Sequence, residues 1–272
     1  MNQNPLENVN TFKIEMIKGP NNGEVSYCPK RGEIITSIKL AGKEIIYLDQ
    51  ETFKDLNVNV KGGVPILFPN AGPITENSEF PNLAQHGFAR NMEWQSEHTE
   101  NGFMGTLSAN EKTRKMYPFD FKFSVSGRFE QDGSFTYDQV VENMEEVGEL
   151  PLSMGLHPYF KVPNIEKSNI KFNFAGGKLV EEQIKSWVNG KTIKAISIDN
   201  PNVPMEIVIP GMGTLVMGVS PEFKKIWVWS VDGKDFICVE PVMRNANGLI
   251  DNPEKIKPKG KFSARVNLKL IE

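Results

Sequence analysis

The chain has 272 residues, 31 basic against 34 acidic, and a net charge of -3. That length suffices for a large core, and a balanced charge with no basic stripe argues against a nucleic-acid partner. No apolar run reaches membrane length, and the opening MNQNPLENVN lacks the cationic start and apolar centre of a secretory signal.

Taken in order, the chain is dominated by alternation with a period of two. Phe12, Ile14 and Met16 form the first run, and Ile34, Thr36, Ile38 and Leu40 the second. Phe121, Phe123 and Val125 follow, then Phe135 and Tyr137, then Ile170, Phe172 and Phe174. Phe262, Ala264, Val266, Leu268 and Leu270 alternate to the end. Half-buried strands give this pattern because successive side chains face opposite sides of a sheet. Asp132-Gly133, Asn189-Gly190 and Asp232-Gly233 each separate two such runs. These dipeptides supply the positive φ of tight hairpin turns, and Asn22-Gly23, Asn101-Gly102 and Asn247-Gly248 add further turns. Helical periodicity is confined to short pieces near Thr52–Leu56 and Glu142–Val147. With no internal repeat or linker, the expectation is an all-β chain: one antiparallel sandwich domain over residues 1–272.

Two cysteines, Cys28 and Cys238, supply neither a disulfide framework nor a zinc site built of cysteines. A reducing cytoplasm is therefore the expected location. The stretch KGGVPILFPNAGPITENSEFPNLAQHGFARNMEW, from Lys61 to Trp94, carries the first chemical signal. Two glycines lead into an apolar strand, a Pro- and Asn-rich loop follows, and Gln85-His86-Gly87-Phe88-Ala89-Arg90 closes it. A titratable imidazole and a fixed cation beside a glycine suit a small anionic or hydroxyl-rich ligand. Of the three histidines, His98 lies in a polar turn and reads as surface. His157, in Leu156-His157-Pro158-Tyr159-Phe160, sits on a strand end among apolar groups, because the residue before proline is driven extended. Glu240 ends the run Phe236-Ile237-Cys238-Val239, and burial there should raise its pKa towards that of a useful base.

Together, GGVPILFPNAGP, HGFAR, LHPYF and Val239-Glu240-Pro241 resemble the aldose 1-epimerase (galactose mutarotase-like) family. The likeness runs in one order from about residue 12 to 270 and is nearest to the hexose-6-phosphate mutarotase branch. It implies a β-supersandwich and interconversion of the α and β anomers of a hexose or hexose phosphate. By position His157 matches the family's general acid and Glu240 its general base, and the pair is expected on opposite sides of a sugar-sized hollow. His86 and Arg90 match residues that help to bind the sugar or its phosphate. Gln85 and Lys61 accompany them, and Phe88 and Trp229 are candidate walls for the sugar ring. Phosphate-specific members carry Arg where this chain has Lys61, and have an Asp-Arg pair that is missing from Glu181–Ile198. A lysine cannot make arginine's bidentate fork, so the substrate's phosphorylation state stays open.

No metal, nucleotide or other cofactor is expected, and the partner is a small sugar met by a monomer or homodimer. A non-catalytic sugar-binding or regulatory protein would carry the same residues. A metal site of His86, His157 and Glu240 lacks any short His-x-His spacing. Neither G-x-S-x-G nor G-x-x-x-x-G-K occurs.

Overall fold

The computed structural model describes residues 12–75, 79–185 and 195–271. An eight-stranded sheet runs in the order Lys171–Asn173, Met205–Ile209, Gly213–Val219, Lys261–Ile271, Phe135–Asn143, Phe121–Phe129, Gly102–Ser108, Gln95–Thr99. A six-stranded sheet is built on Phe236–Val242. That strand pairs with Lys225–Trp229 on one side, and with Gly155–Leu156 and Tyr159–Lys161 on the other. Ile196–Asp199 and Ile66–Leu67 complete it at its two edges. A four-stranded sheet (Glu15–Lys18, Glu24–Cys28, Ile34–Leu40, Lys43–Glu44) and a two-stranded one (Leu150–Leu152 with Glu254–Ile256) accompany them. The strand ladders described are antiparallel, as hairpin-linked strands must be.

Alternation decides which face is buried. In Phe121–Phe129 every odd residue is buried and every even one is exposed or half-exposed. The six-stranded sheet sends Ile226, Val228, Ile237 and Val239 into the same main core as Phe123 and Val125. Its other face therefore carries the alternate set, Trp227, Trp229, Cys238 and Glu240, away from that core. Glu240 and Trp229, two of the candidate site residues, lie on this second face.

The turn residues behave as their chemistry requires at Asp132-Gly133, where Gly133 has φ 81° and Phe129 pairs with Phe135. Gly233, at φ 77°, lies between Lys225–Trp229 and Phe236–Val242. Asn189-Gly190 lies outside the described residues. Three expectations are corrected. Glu142–Val147 is not helical, because its first residues finish the strand Phe135–Asn143. In the first strand, Glu15–Lys18, Ile17 rather than Met16 is buried; a four-residue strand at a sheet edge has one face to cover. And Gly177–Lys185 is a helix, with Val180, Glu181 and Ile184 packed inward. Its apolar signal is a single i, i+4 pair, too short to register as periodicity.

Candidate active site

Glu240 lies directly opposite Trp227 in the register of Phe236–Val242 on Lys225–Trp229, so the two side chains share a face. Tyr159 pairs with Cys238 on the other side of the same strand. His157, two residues before Tyr159, donates its backbone N–H to the Pro65 carbonyl at 3.0 Å. This fixes the imidazole beside the carboxyl: His157 Nε2 stands 3.5 Å from Glu240 Oε1. Both side chains are buried, and the imidazole stacks on Tyr159 at 4.6 Å between centroids, with planes 10° apart. Trp229 meets His157 edge-on at 6.0 Å.

The HGFAR segment brings His86 up to His157. Gly87 takes φ 64°, and a Cβ there would lie 2.0 Å from the Phe68 carbonyl oxygen, so only glycine allows this approach. His86 is itself at φ 71°. Its Nδ1 is 2.6 Å from the Ala71 carbonyl, so that nitrogen carries the hydrogen and Nε2 is left as an acceptor, 3.4 Å from the Gln85 amide nitrogen. The His86 and His157 rings meet edge-on at 5.4 Å. Arg90 is buried and donates from Nη2 to the Val60 carbonyl at 3.1 Å.

These groups surround a cavity of about 390 Å³, within the range of small-ligand sites. Seven of the eight residues singled out by sequence line it: Lys61, Gln85, His86, Arg90, His157, Trp229 and Glu240. Phe88 does not. It is buried in the main core against Phe68 and Phe121, because the residue after Gly87 turns inward. The pair is also not disposed on opposite sides of the hollow, since the two groups are neighbours. Trp227 and Tyr159 were missed, although each stands two residues from a residue already chosen and so shares its face. Asn59, Val60 and Ala195 also contribute, and nothing in their local sequence marks them.

Burial sets the electrostatics. It raises the Glu240 carboxyl to about pKa 8, against the opposing pull of the Arg90 guanidinium. It drives His157 well below the usual imidazole value, helped by His86 and Arg90. His86 falls to about 4, chiefly by burial and then by Arg90. Burial thus favours a pair that holds one proton near neutral pH, beside a neutral His86. Among the described residues, His157, Cys238 and Glu240 have ligand-type atoms within 4.8 Å of one another. Burial keeps the Cys238 thiol protonated, so a metal held there would have to displace that proton. No helix of the described residues is long and apolar enough to cross a membrane.

Comparison with known proteins bears on this geometry. The chain is 33% identical over 158 residues to a Salmonella typhimurium protein named "Putative glucose-6-phosphate 1-epimerase", a match covering 56% of this chain and 49% of the relative. The chain thus spans about half the length of that relative. Over 98% of both chains it superposes on the Slr1438 protein from Synechocystis sp. PCC 6803, with TM-score 0.83 and 24% identity. It also superposes on a galactose mutarotase related enzyme from Lactobacillus acidophilus, with TM-score 0.70, 19% identity, and 96% and 98% of the two chains covered. Both share the β-supersandwich. The sequence profile described as aldose 1-epimerase matches residues 21–200, two thirds of the chain, and by that match the protein belongs to the aldose 1-epimerase family.

Proposed function

We propose that the protein interconverts the α and β anomers of an aldohexose, with the 6-phosphate as the preferred form, using His157 and Glu240 for the two proton transfers. The observation that carries this reading is the buried imidazole–carboxyl pair, 3.5 Å apart, at the wall of an aromatic-lined cavity. Ring opening adds a proton to the ring oxygen and removes one from the C1 hydroxyl. Both oxygens are bonded to C1, so an acid and a base serving them must themselves be neighbours.

A pair holding one proton suits the cycle. With the proton moved across to the imidazole, His157 donates to the ring oxygen while Glu240 takes the hydroxyl proton. The C1–O5 bond breaks, the aldehyde forms, and the pair is left as carboxylic acid and neutral imidazole. Rotation about C1–C2 presents the other carbonyl face. Closure then reverses both transfers and restores the starting charges. Arg90, whose charge pulls against burial at Glu240, favours the ionised carboxylate that the opening step needs.

The cavity supports an anionic sugar. Among the described residues Glu240 is its one acidic lining residue, while Lys61 stands exposed at the rim and Arg90 is buried. Trp227, Trp229 and Tyr159 offer apolar faces for a sugar ring. The test is anomer exchange by NMR on free and 6-phosphorylated hexoses. Faster exchange of the 6-phosphate, with a KM raised at least about tenfold by Lys61→Ala only for the phosphorylated sugar, supports the reading. Saturable binding without faster exchange would replace it with a sugar-binding role.

A further inference from the structure

The Cys28-Pro29-Lys30-Arg31-Gly32 segment takes no part in the chemistry above, yet it buries a charge beside the site. Pro29–Arg31 forms one turn of 3-10 helix ending at Gly32, whose φ is 78°. A Cβ on Gly32 would lie 2.1 Å from the Arg90 carbonyl oxygen. Gly32 N–H donates to the Met92 carbonyl at 3.0 Å, and Trp94 N–H to that of Pro29 at 3.1 Å. The turn is thus locked onto the chain that follows HGFAR.

From there the Arg31 side chain, 3% exposed, reaches the loop that leads to Lys61. Its Nη2 lies 3.2 Å from the Thr52 carbonyl oxygen, 2.6 Å from that of Asp55 and 2.7 Å from that of Val58. Arg90 takes another carbonyl of the same loop, that of Val60. The rim residues are tied in turn. The Asn91 amide donates to Asn59 Oδ1 at 2.9 Å, and Lys61 N–H to Thr52 Oγ1 at 3.0 Å. No sheet hydrogen bonds fix residues 55–60; these contacts do so, together with the bonds from Asn57 to the Asp55 carboxylate and the packing of Val60 with Cys28, Ile34 and Phe53. A buried guanidinium is costly to bring in from water, and charge-assisted bonds to carbonyl oxygens offset that cost only if the loop keeps one shape.

We propose that Arg31 is a positioning residue for substrate binding: it holds residues 52–58 so that Asn59, Val60 and Lys61 form the rim of the cavity. It touches neither the proton-transfer pair nor the cavity, so its effect falls on affinity rather than on chemistry. The inference rests on the aldose 1-epimerase reading for its kinetic arm only.

The experiment combines amide hydrogen exchange with anomer-exchange kinetics on glucose 6-phosphate for wild type, Arg31→Ala, Arg31→Lys and Arg31→Gln. In Arg31→Ala, exchange should quicken at residues 52–61, and KM should rise about tenfold with kcat within about twofold. Lysine, which also presents several donors, should restore both in part, as should added guanidinium ion at low millimolar concentration. If alanine prevents folding, Arg31→Gln against Arg31→Lys gives the same comparison. Unchanged exchange in 52–61 overturns the proposal. So does quickened exchange with KM unaltered, or a fall in kcat at constant KM. A wild type without anomer exchange would instead sink the enzymatic reading. The positioning role would then be read from glucose 6-phosphate binding, followed by the fluorescence of Trp227 and Trp229. Equal affinity in wild type and Arg31→Ala would overturn it there.

Discussion

At Glu240 the carboxyl is buried against an imidazole that burial has also stripped of its proton affinity. Two consequences follow for the residues of the pair. Removing either group should lower catalysed anomer exchange by about 10²–10⁴-fold, read by NMR in His157→Ala and Glu240→Gln. The pH profile carries a sign. Glu240 is raised to about 8, and above that pH the free enzyme loses the single proton the pair holds. The quantity kcat/KM should therefore be level through neutrality and fall about tenfold per unit above pH 8. The acid limb should lie well below pH 6.5, where His157 finally takes a second proton. A profile falling below pH 7 and flat above 8 would contradict this arrangement. The exposed ammonium of Lys61 at the rim can act on a phosphate only as a point charge, so Lys61→Ala should alter the KM of the phosphorylated sugar alone.

At the scale of elements, the strands were legible from alternation, and the meeting of His157 with Glu240 was not. His157 and Glu240 meet because Tyr159–Lys161 and Gly155–Leu156 both pair with Phe236–Val242, a register no local pattern encodes. Of the two aromatic residues chosen, Trp229 lines the cavity and Phe88 does not, for one reason. Alternation holds along a strand but not across the 3-10 turn Ala89–Asn91 that Phe88 introduces. Applied to Trp229 and His157 it would also have found Trp227 and Tyr159. The helix Gly177–Lys185 and the loop 55–60 escaped because neither has a repeating apolar signal. The HGFAR turn makes a sharp prediction of its own. In Gly87→Ala the new methyl meets the Phe68 carbonyl at 2.0 Å in a backbone region costly to side chains. Stability to urea should fall by about 1–3 kcal/mol from the backbone conformation alone. Activity should fall with it, because Gly87 sets the course of the segment that carries His86 and Arg90 into the cavity. Wild-type stability in Gly87→Ala would show that the segment can move aside.

Across the whole molecule, the interior holds another buried carboxyl, Glu33, which does not line the cavity. Glu33 is buried where the four-stranded sheet meets Gly102–Ser108. It accepts a hydrogen bond from Ser96 Oγ at 2.7 Å, while its Oε2 has no partner. A Cβ on Gly105 would lie 2.6 Å from its carboxyl carbon, so the glycine makes room for it. Burial raises Glu33 from 4.5 to about 7. With the folded value above the unfolded one, its contribution is most favourable below pH 4.5 and is lost as pH rises through 7. Of the order of 3 kcal/mol should disappear between those limits. Because Glu240, His86 and His157 titrate alike in both proteins, urea titrations at pH 5 and pH 8 should show wild type losing about 3 kcal/mol more between the two pH values than Glu33→Gln. Equal pH dependence in the two would place the titrating group elsewhere. No sequence pattern foretells such a carboxyl, since an isolated Glu between a turn and a strand reads as surface.

The central claim is that neighbouring imidazole and carboxyl groups open and close a sugar ring in the cavity they line. Magnetisation exchange between the α and β resonances of glucose 6-phosphate, with and without catalytic amounts of protein, tests it most directly. Wild type should accelerate the exchange in proportion to its concentration, and His157→Ala and Glu240→Gln should each return it to within about one per cent of that acceleration. Unaccelerated exchange with wild type, or full acceleration by both variants, would contradict it.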